Sequence, residues 1–127
     1  MRERLPVERQ AVNHRFQVGG QKGYFTVGFY PDGRPGEIFI IMAKEGSTVS
    51  GWADSFARAL SLGLQRGVTI PELVSQFKDL CFEPAGRTNN PAIPEAKSVI
   101  DYIARWFELK FVLTKAEEAP QGGEGGP

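Results

Sequence analysis

Apolar and polar residues alternate along the first third of the chain, a pattern typical of β-strands. Residues 24–30 (YFTVGFY) are mostly aromatic or β-branched and predict a strand. Residues 37–43 (EIFIIMA) are apolar nearly throughout, which predicts a strand that is central or covered on both faces. Pro and Gly in residues 31–36 suit a turn between these strands, and residues 15–18 give a weaker first strand. We therefore expect an antiparallel sheet.

Helical spacing replaces this alternation after residue 46. A first helix is predicted, capped by Ser47, Thr48 or Ser50. Its apolar face comprises Trp52, Phe56, Ala59, Leu60, Gly63 and Leu64. Trp52 is expected at the core or its edge. Strands followed by helices predict an α+β domain, in which a small antiparallel sheet packs against about three helices.

Two more helices follow in the pattern. Thr69 with Glu72 three residues later is a capping box, and it begins a short second helix that buries Leu73, Val74 and Phe77. A last helix starts near residue 94 or 95 and runs as far as Leu113. Its apolar stripe comprises Ala96, Val99, Ile100, Ile103 and Phe107, with Trp106 beside it.

The length of 127 residues fits one domain. Residues 114–127 (TKAEEAPQGGEGGP) contain no large apolar residue, so burial cannot offset the entropy of ordering them. We expect a domain over residues 1–113 and a flexible tail over residues 114–127. No signal-peptide pattern or membrane-spanning run is visible, which favours a cytoplasmic location.

Charge argues against a dedicated nucleic-acid binder, because 15 basic and 15 acidic residues give a net charge of zero. A local basic patch remains a candidate near the start of the chain. Its residues are Arg2, Arg4, Arg9, Arg15 and Lys22. Tyr24, Thr26 and Tyr30 share one strand face and offer an alternative platform for a partner or for nucleic-acid bases.

Catalytic chemistry is not indicated. His14 is the only histidine and has no nucleophile paired with it in the sequence. Cys81 is the only cysteine and sits between apolar neighbours, which predicts a buried, inert thiol. Asp54 and Asp101 are expected to have structural roles. We predict no catalytic, cofactor or metal site, and no enzyme.

The loop after the second helix is long for a compact domain, and long loops often form interaction surfaces. Its candidate interaction residues are Phe82, Glu83, Arg87, Asn89 and Asn90. Alternatively, Phe82 and Ile93 only pin the loop to the core. An exposed strand edge is a second place where a partner could bind.

Several strings in the chain resemble the C-terminal accessory, or TSCPD, domain of adenosylcobalamin-dependent (class II) ribonucleotide reductases. They are RERLPVERQAVNHRF, GYFTVGFYPDGRPGEIFIIMAKEGSTVSG, LSLGLQRGV and FEPAGRTNNPAIPEAKSVIDYIARW. Together they cover residues 2 to about 107. The resemblance implies that the radical chemistry belongs to a large upstream barrel, and that a tail with a cysteine pair re-reduces the active site. Neither part is present here, so no catalytic residue of the family maps onto this chain.

Three interpretations remain open. The chain is a free-standing accessory domain that docks on a reductase subunit or self-associates, a segment cut from a full-length reductase, or a repurposed copy. The repurposed copy would bind nucleic acid or nucleotides through the basic patch. We rank protein binding or assembly first, nucleic-acid or nucleotide binding second and catalysis last.

Overall fold

The computed structural model describes residues 2–113 and contains an antiparallel sheet with strand order β1-β2-β3. β1 is Ala11–Val18, β2 is Gln21–Phe29 and β3 is Pro35–Met42. The β1–β2 turn is formed by Gly19 and Gly20, whose φ angles of 56° and 89° suit glycine. The predicted hairpin and α+β class are confirmed. The predicted tail, residues 114–127, lies outside the described residues.

One face of the sheet forms the core, and the other is open. The buried sheet residues are Phe16, Val18, Phe25, Val27, Ile38 and Ile40. The expectation that β3 is central or covered on both faces is wrong, because β2 is central and β3 lies at the edge. Phe39 and Ile41 are 53% and 50% exposed. The described helices pack against the opposite face of the sheet, so these two apolar side chains remain in solvent.

The first helix, α1, spans Ser47–Gln65 and packs along β3. Gly46 occupies its N-cap, and no side chain caps it, so the predicted Ser or Thr cap is wrong. Its buried residues are Ala57, Leu60, Leu64 and Gln65. Trp52 is 75% exposed, contrary to its expected position at the core or its edge. Only the second half of α1 therefore packs fully against the sheet.

Side chains of α1 also cover part of the β3 edge. The Ser61 hydroxyl accepts the Ile38 N–H at 2.8 Å and donates to the Ile38 carbonyl at 3.1 Å. Gln65 Nε2 donates to the Gly36 carbonyl at 2.9 Å. These bonds occupy backbone groups that an added strand would need. These groups of β3 are therefore not free to pair with an added strand, and partner binding at a strand edge stays a prediction.

The remaining helices form a second layer on the core side. α2 spans Ile70–Phe77, and its predicted capping box between Thr69 and Glu72 is confirmed. α3 spans Val99–Phe107, starts at Ser98 as N-cap and continues as a π-helical segment over Glu108–Leu113. Its start is later than predicted because residues 95–96 form a short strand, β5 (Glu95–Ala96), paired with β4 (Gly86–Arg87).

Candidate docking groove

An apolar groove opens between the first half of α1, the end of α2 and the chain segment that follows α2. Val49, Trp52, Ala53 and Phe56 line it from one face of α1, at spacings of three and four residues. The groove encloses about 920 Å³. Leu80 and Phe82 line its opposite side, and Phe82 is 48% exposed.

Aromatic packing supports the groove from below. The rings of Phe56 and Phe77 meet edge to face, with centroids 5.2 Å apart. Such pairs add to the stability that burial alone provides. The charged side chains lining the groove are Glu45 and Glu83. The groove therefore combines an apolar lining with acidic groups.

The segment that carries Leu80 and Phe82 is fixed by hydrogen bonds to the start of α3. The Asp79 N–H donates to Asp101 Oδ1 at 2.6 Å, and Ser98 Oγ donates to the Leu80 carbonyl at 2.6 Å. The Phe82 N–H donates to the Lys97 carbonyl at 3.1 Å. The two apolar side chains are thus presented on a backbone that is already ordered.

Asp101 holds this junction together. Its buried carboxylate accepts the Lys97 N–H at 2.8 Å and Arg105 Nε at 3.0 Å. Asp79 Oδ1 forms an ion pair with Nη2 of Arg105 at 2.6 Å. The hydrogen bond from Lys97 and the positive charges of Lys97, Arg105 and Lys78 hold the pKa of the Asp79 carboxyl below its ordinary value. Asp101 therefore has the structural role expected of it, whereas Asp54 forms an exposed ion pair with Arg58.

The five predicted interaction residues do not form one surface. Phe82 and Glu83 line the groove, whereas the other three line a separate depression formed by the 86–97 loop, α3 and the segment that follows α3. Asn89 Oδ1 accepts the Gln17 N–H at 3.1 Å, and Asn90 Nδ2 donates to the Tyr102 hydroxyl at 3.1 Å. Both asparagines thus help to fix the loop. Their role in binding stays a prediction.

The five residues of the predicted basic patch are also dispersed. Arg2 bonds Gln65 at 2.6 Å, and Arg9 forms an ion pair with Glu37 at 2.7 Å. Arg4 is exposed in the segment before β1. Arg15 and Lys22 lie on the open face of the sheet.

The groups considered for catalysis are placed apart. His14 Nε2 lies 2.7 Å from the Tyr102 hydroxyl, among the rings of Phe25, Tyr102 and Trp106. Burial and the charge of Lys110 lower the pKa of His14. Cys81 is exposed, so its expected burial is wrong: it lies on the connecting segment after α2 and not on a packed helix or strand. Within residues 2–113 no cluster of His, Cys, Asp or Glu could hold a metal ion.

A family model described as the TSCPD domain matches residues 2–111. The chain belongs to the TSCPD domain family. No solved structure matches this TSCPD domain significantly.

Curated relatives of this TSCPD domain are vitamin B12-dependent ribonucleotide reductases. The protein of Rhodopirellula baltica is 51% identical over 99% of this chain and 13% of its own length. The protein of Streptomyces avermitilis is 46% identical over 94% of this chain and 12% of its own. The TSCPD domain thus spans about an eighth of these relatives, and the predicted resemblance is confirmed. No helix among residues 2–113 is long and apolar enough to cross a membrane.

The sequence predicts only part of the groove. The apolar pattern predicts that Trp52 and Phe56 face the core, although positions 49, 52, 53 and 56 share one side of a helix and line the groove. Leu80 has no periodic signal in the sequence, because it is a single apolar residue in a connecting segment. The contribution of α3 could not be inferred, since it depends on how distant elements pack.

Proposed function

We propose that this TSCPD domain is a non-catalytic docking domain that binds a B12-dependent ribonucleotide reductase through the apolar groove. The observation that carries the proposal is the group of exposed apolar side chains around the groove, led by Trp52 and Phe82. Clustered exposed apolar groups are typical of protein interaction sites. Trp is also enriched among residues that dominate binding energy.

The chemistry of the groove limits what binds there. Its lining is apolar and its charged groups, Glu45 and Glu83, are acidic. The segment of the reductase that enters should therefore carry apolar side chains flanked by Lys or Arg, since complementary charge favours encounter and register. An amphipathic helix laid into the groove satisfies both requirements.

A non-catalytic role fits the placement of the reactive groups. His14 is engaged with Tyr102, and Cys81 lies on a different part of the chain. The curated relatives are several times longer than this domain, and their names describe the whole reductase. We infer that the reductase chemistry belongs to the regions outside the match.

Binding to a full-length B12-dependent reductase, measured by biolayer interferometry with the immobilised chain, tests the proposal. We expect Trp52→Ala to weaken binding by tenfold or more, as expected for a residue worth about 2 kcal/mol in an interface. Leu62→Ala is the matched control, because Leu62 is an exposed apolar residue on another part of α1. Its affinity should equal that of the unmodified chain.

Two outcomes of the binding measurement contradict the proposal. One is absence of binding to the reductase. The other is equal binding by the Trp52→Ala and unmodified chains. Sedimentation of the chain alone distinguishes self-association: a dimer that Trp52→Ala converts to monomer would place a second copy of the domain in the groove instead.

A further inference from the structure

The open face of the sheet carries a second exposed surface, on the side opposite the groove. Tyr24 is 42% exposed and pairs across the strands with Ile41, while Phe39 pairs with Thr26. Tyr24 and Phe39 are therefore diagonal neighbours on adjacent strands, a position in which Cα atoms are about 7–8 Å apart. Two exposed aromatic side chains therefore occupy neighbouring positions on this face.

The second ring differs from the one predicted. Tyr30 was expected to share the face of Tyr24, but the β2–β3 register shifts between Gly28 and Phe29. Tyr30 follows this irregularity, is buried, and donates its hydroxyl hydrogen bond to the Glu3 carbonyl. Phe39 of β3 takes the place that Tyr30 was expected to hold.

The charge on this face is positive. Arg15 pairs with Tyr24 across the strands, and Lys22 pairs with Gln17. Among residues 2–113, neither cation takes part in an ion pair. The carboxylate on this face, Glu37, is already bound by Arg9 at 2.7 Å. The open face therefore combines exposed aromatic rings with two positive charges, Arg15 and Lys22, that no described carboxylate neutralises.

We propose that the open face binds single-stranded nucleic acid, with bases stacked on Tyr24 and Phe39 and phosphates contacting the two cations. Exposed aromatic residues on a sheet stack two or three bases in known RNA-binding modules. Stacking on side chains requires unpaired bases, so single strands bind in preference to duplexes. A zero net charge does not oppose this, because the relevant charge is local.

Fluorescence anisotropy with a labelled oligothymidine of about fifteen nucleotides at about 50 mM salt tests the proposal. We expect saturable binding that weakens as salt rises. The Arg15→Gln/Lys22→Gln variant should bind more weakly and lower the log–log salt slope by about 1.4, the value for two phosphate contacts on a single strand. Arg66→Gln is the matched control, because Arg66 is an exposed cation at the end of α1 without an ion pair among the described residues.

The stacking contribution is measured separately. Tyr24→Thr and Phe39→Thr keep strand-forming residues at these positions and remove the rings. Each should weaken binding about tenfold. Circular dichroism checks that the variants remain folded.

Four results would overturn the proposal. They are no binding at low salt, unchanged affinity in both threonine variants, equal competition by inorganic polyphosphate or a mononucleotide, and stronger binding of a duplex. Because the groove lies on the other side of the sheet, each of these leaves the reductase-docking proposal intact.

Discussion

His14 shows how much one side chain depends on residues far away in the chain. Asn90 Nδ2 donates to the Tyr102 hydroxyl oxygen, and His14 Nε2 lies 2.7 Å from the same oxygen. A neutral imidazole with its proton on Nδ1 would accept the hydroxyl hydrogen at Nε2. A protonated ring would place a second donor against the hydroxyl. Burial and Lys110 also oppose the charge.

We predict that stability falls as the pH drops below about 6.5, the ordinary value for histidine. The pKa of His14 is lowered in the folded chain, so the unfolded chain binds this proton first. The contribution of neutral His14 to the free energy of unfolding is complete above about pH 6.5. It is lost as the pH falls toward the lowered pKa of His14 in the folded chain. Urea unfolding at pH 7.5 and pH 5.5 measures the change.

His14→Gln provides the control for this prediction. It removes the only histidine of the chain, so the difference between the two pH values should shrink. NMR titration of the imidazole should give a midpoint below 6.5. A midpoint above that value would contradict the assignment.

At the scale of single elements, the start of α2 depends on local bonds. Thr69 Oγ1 accepts the Glu72 N–H at 3.2 Å, and Glu72 Oε1 accepts the Thr69 N–H at 3.0 Å. We expect Thr69→Ala to lower the free energy of unfolding by about 1 kcal/mol. Ser47→Ala is the matched control, since no side chain caps α1. Equal losses in the two variants, measured by urea unfolding, would contradict this account.

These two helix starts explain which features a sequence predicts well. A capping box involves residues three apart, so the sequence contains both partners. The start of α1 offered three Ser or Thr candidates, and the structure uses Gly46 instead. The apolar composition of β3 predicts a central strand, but the place of β3 in the sheet depends on which elements pack around it. Local signals identified the elements, whereas their layering required the folded chain.

At the scale of the whole molecule, the two proposed surfaces lie on opposite faces of one sheet. Side chains alternate along β3, so Ile40 and Met42 line the groove while Phe39 and Ile41 occupy the open face. The sequence does not distinguish the two surfaces, because residues 37–43 are apolar nearly throughout and contribute side chains to both faces. Binding at one face leaves the other accessible.

We therefore predict that the two binding activities are independent. Phe39→Thr should leave reductase affinity within about twofold of the unmodified chain, and Trp52→Ala should do the same for oligonucleotide affinity, since distant sites without shared partners act additively. A reductase-bound domain should still raise the anisotropy of the labelled oligonucleotide. Mutual exclusion would show instead that one ligand covers both faces, or that the reductase itself occupies the open face. The result thus decides whether the domain can hold a reductase and a nucleic acid together.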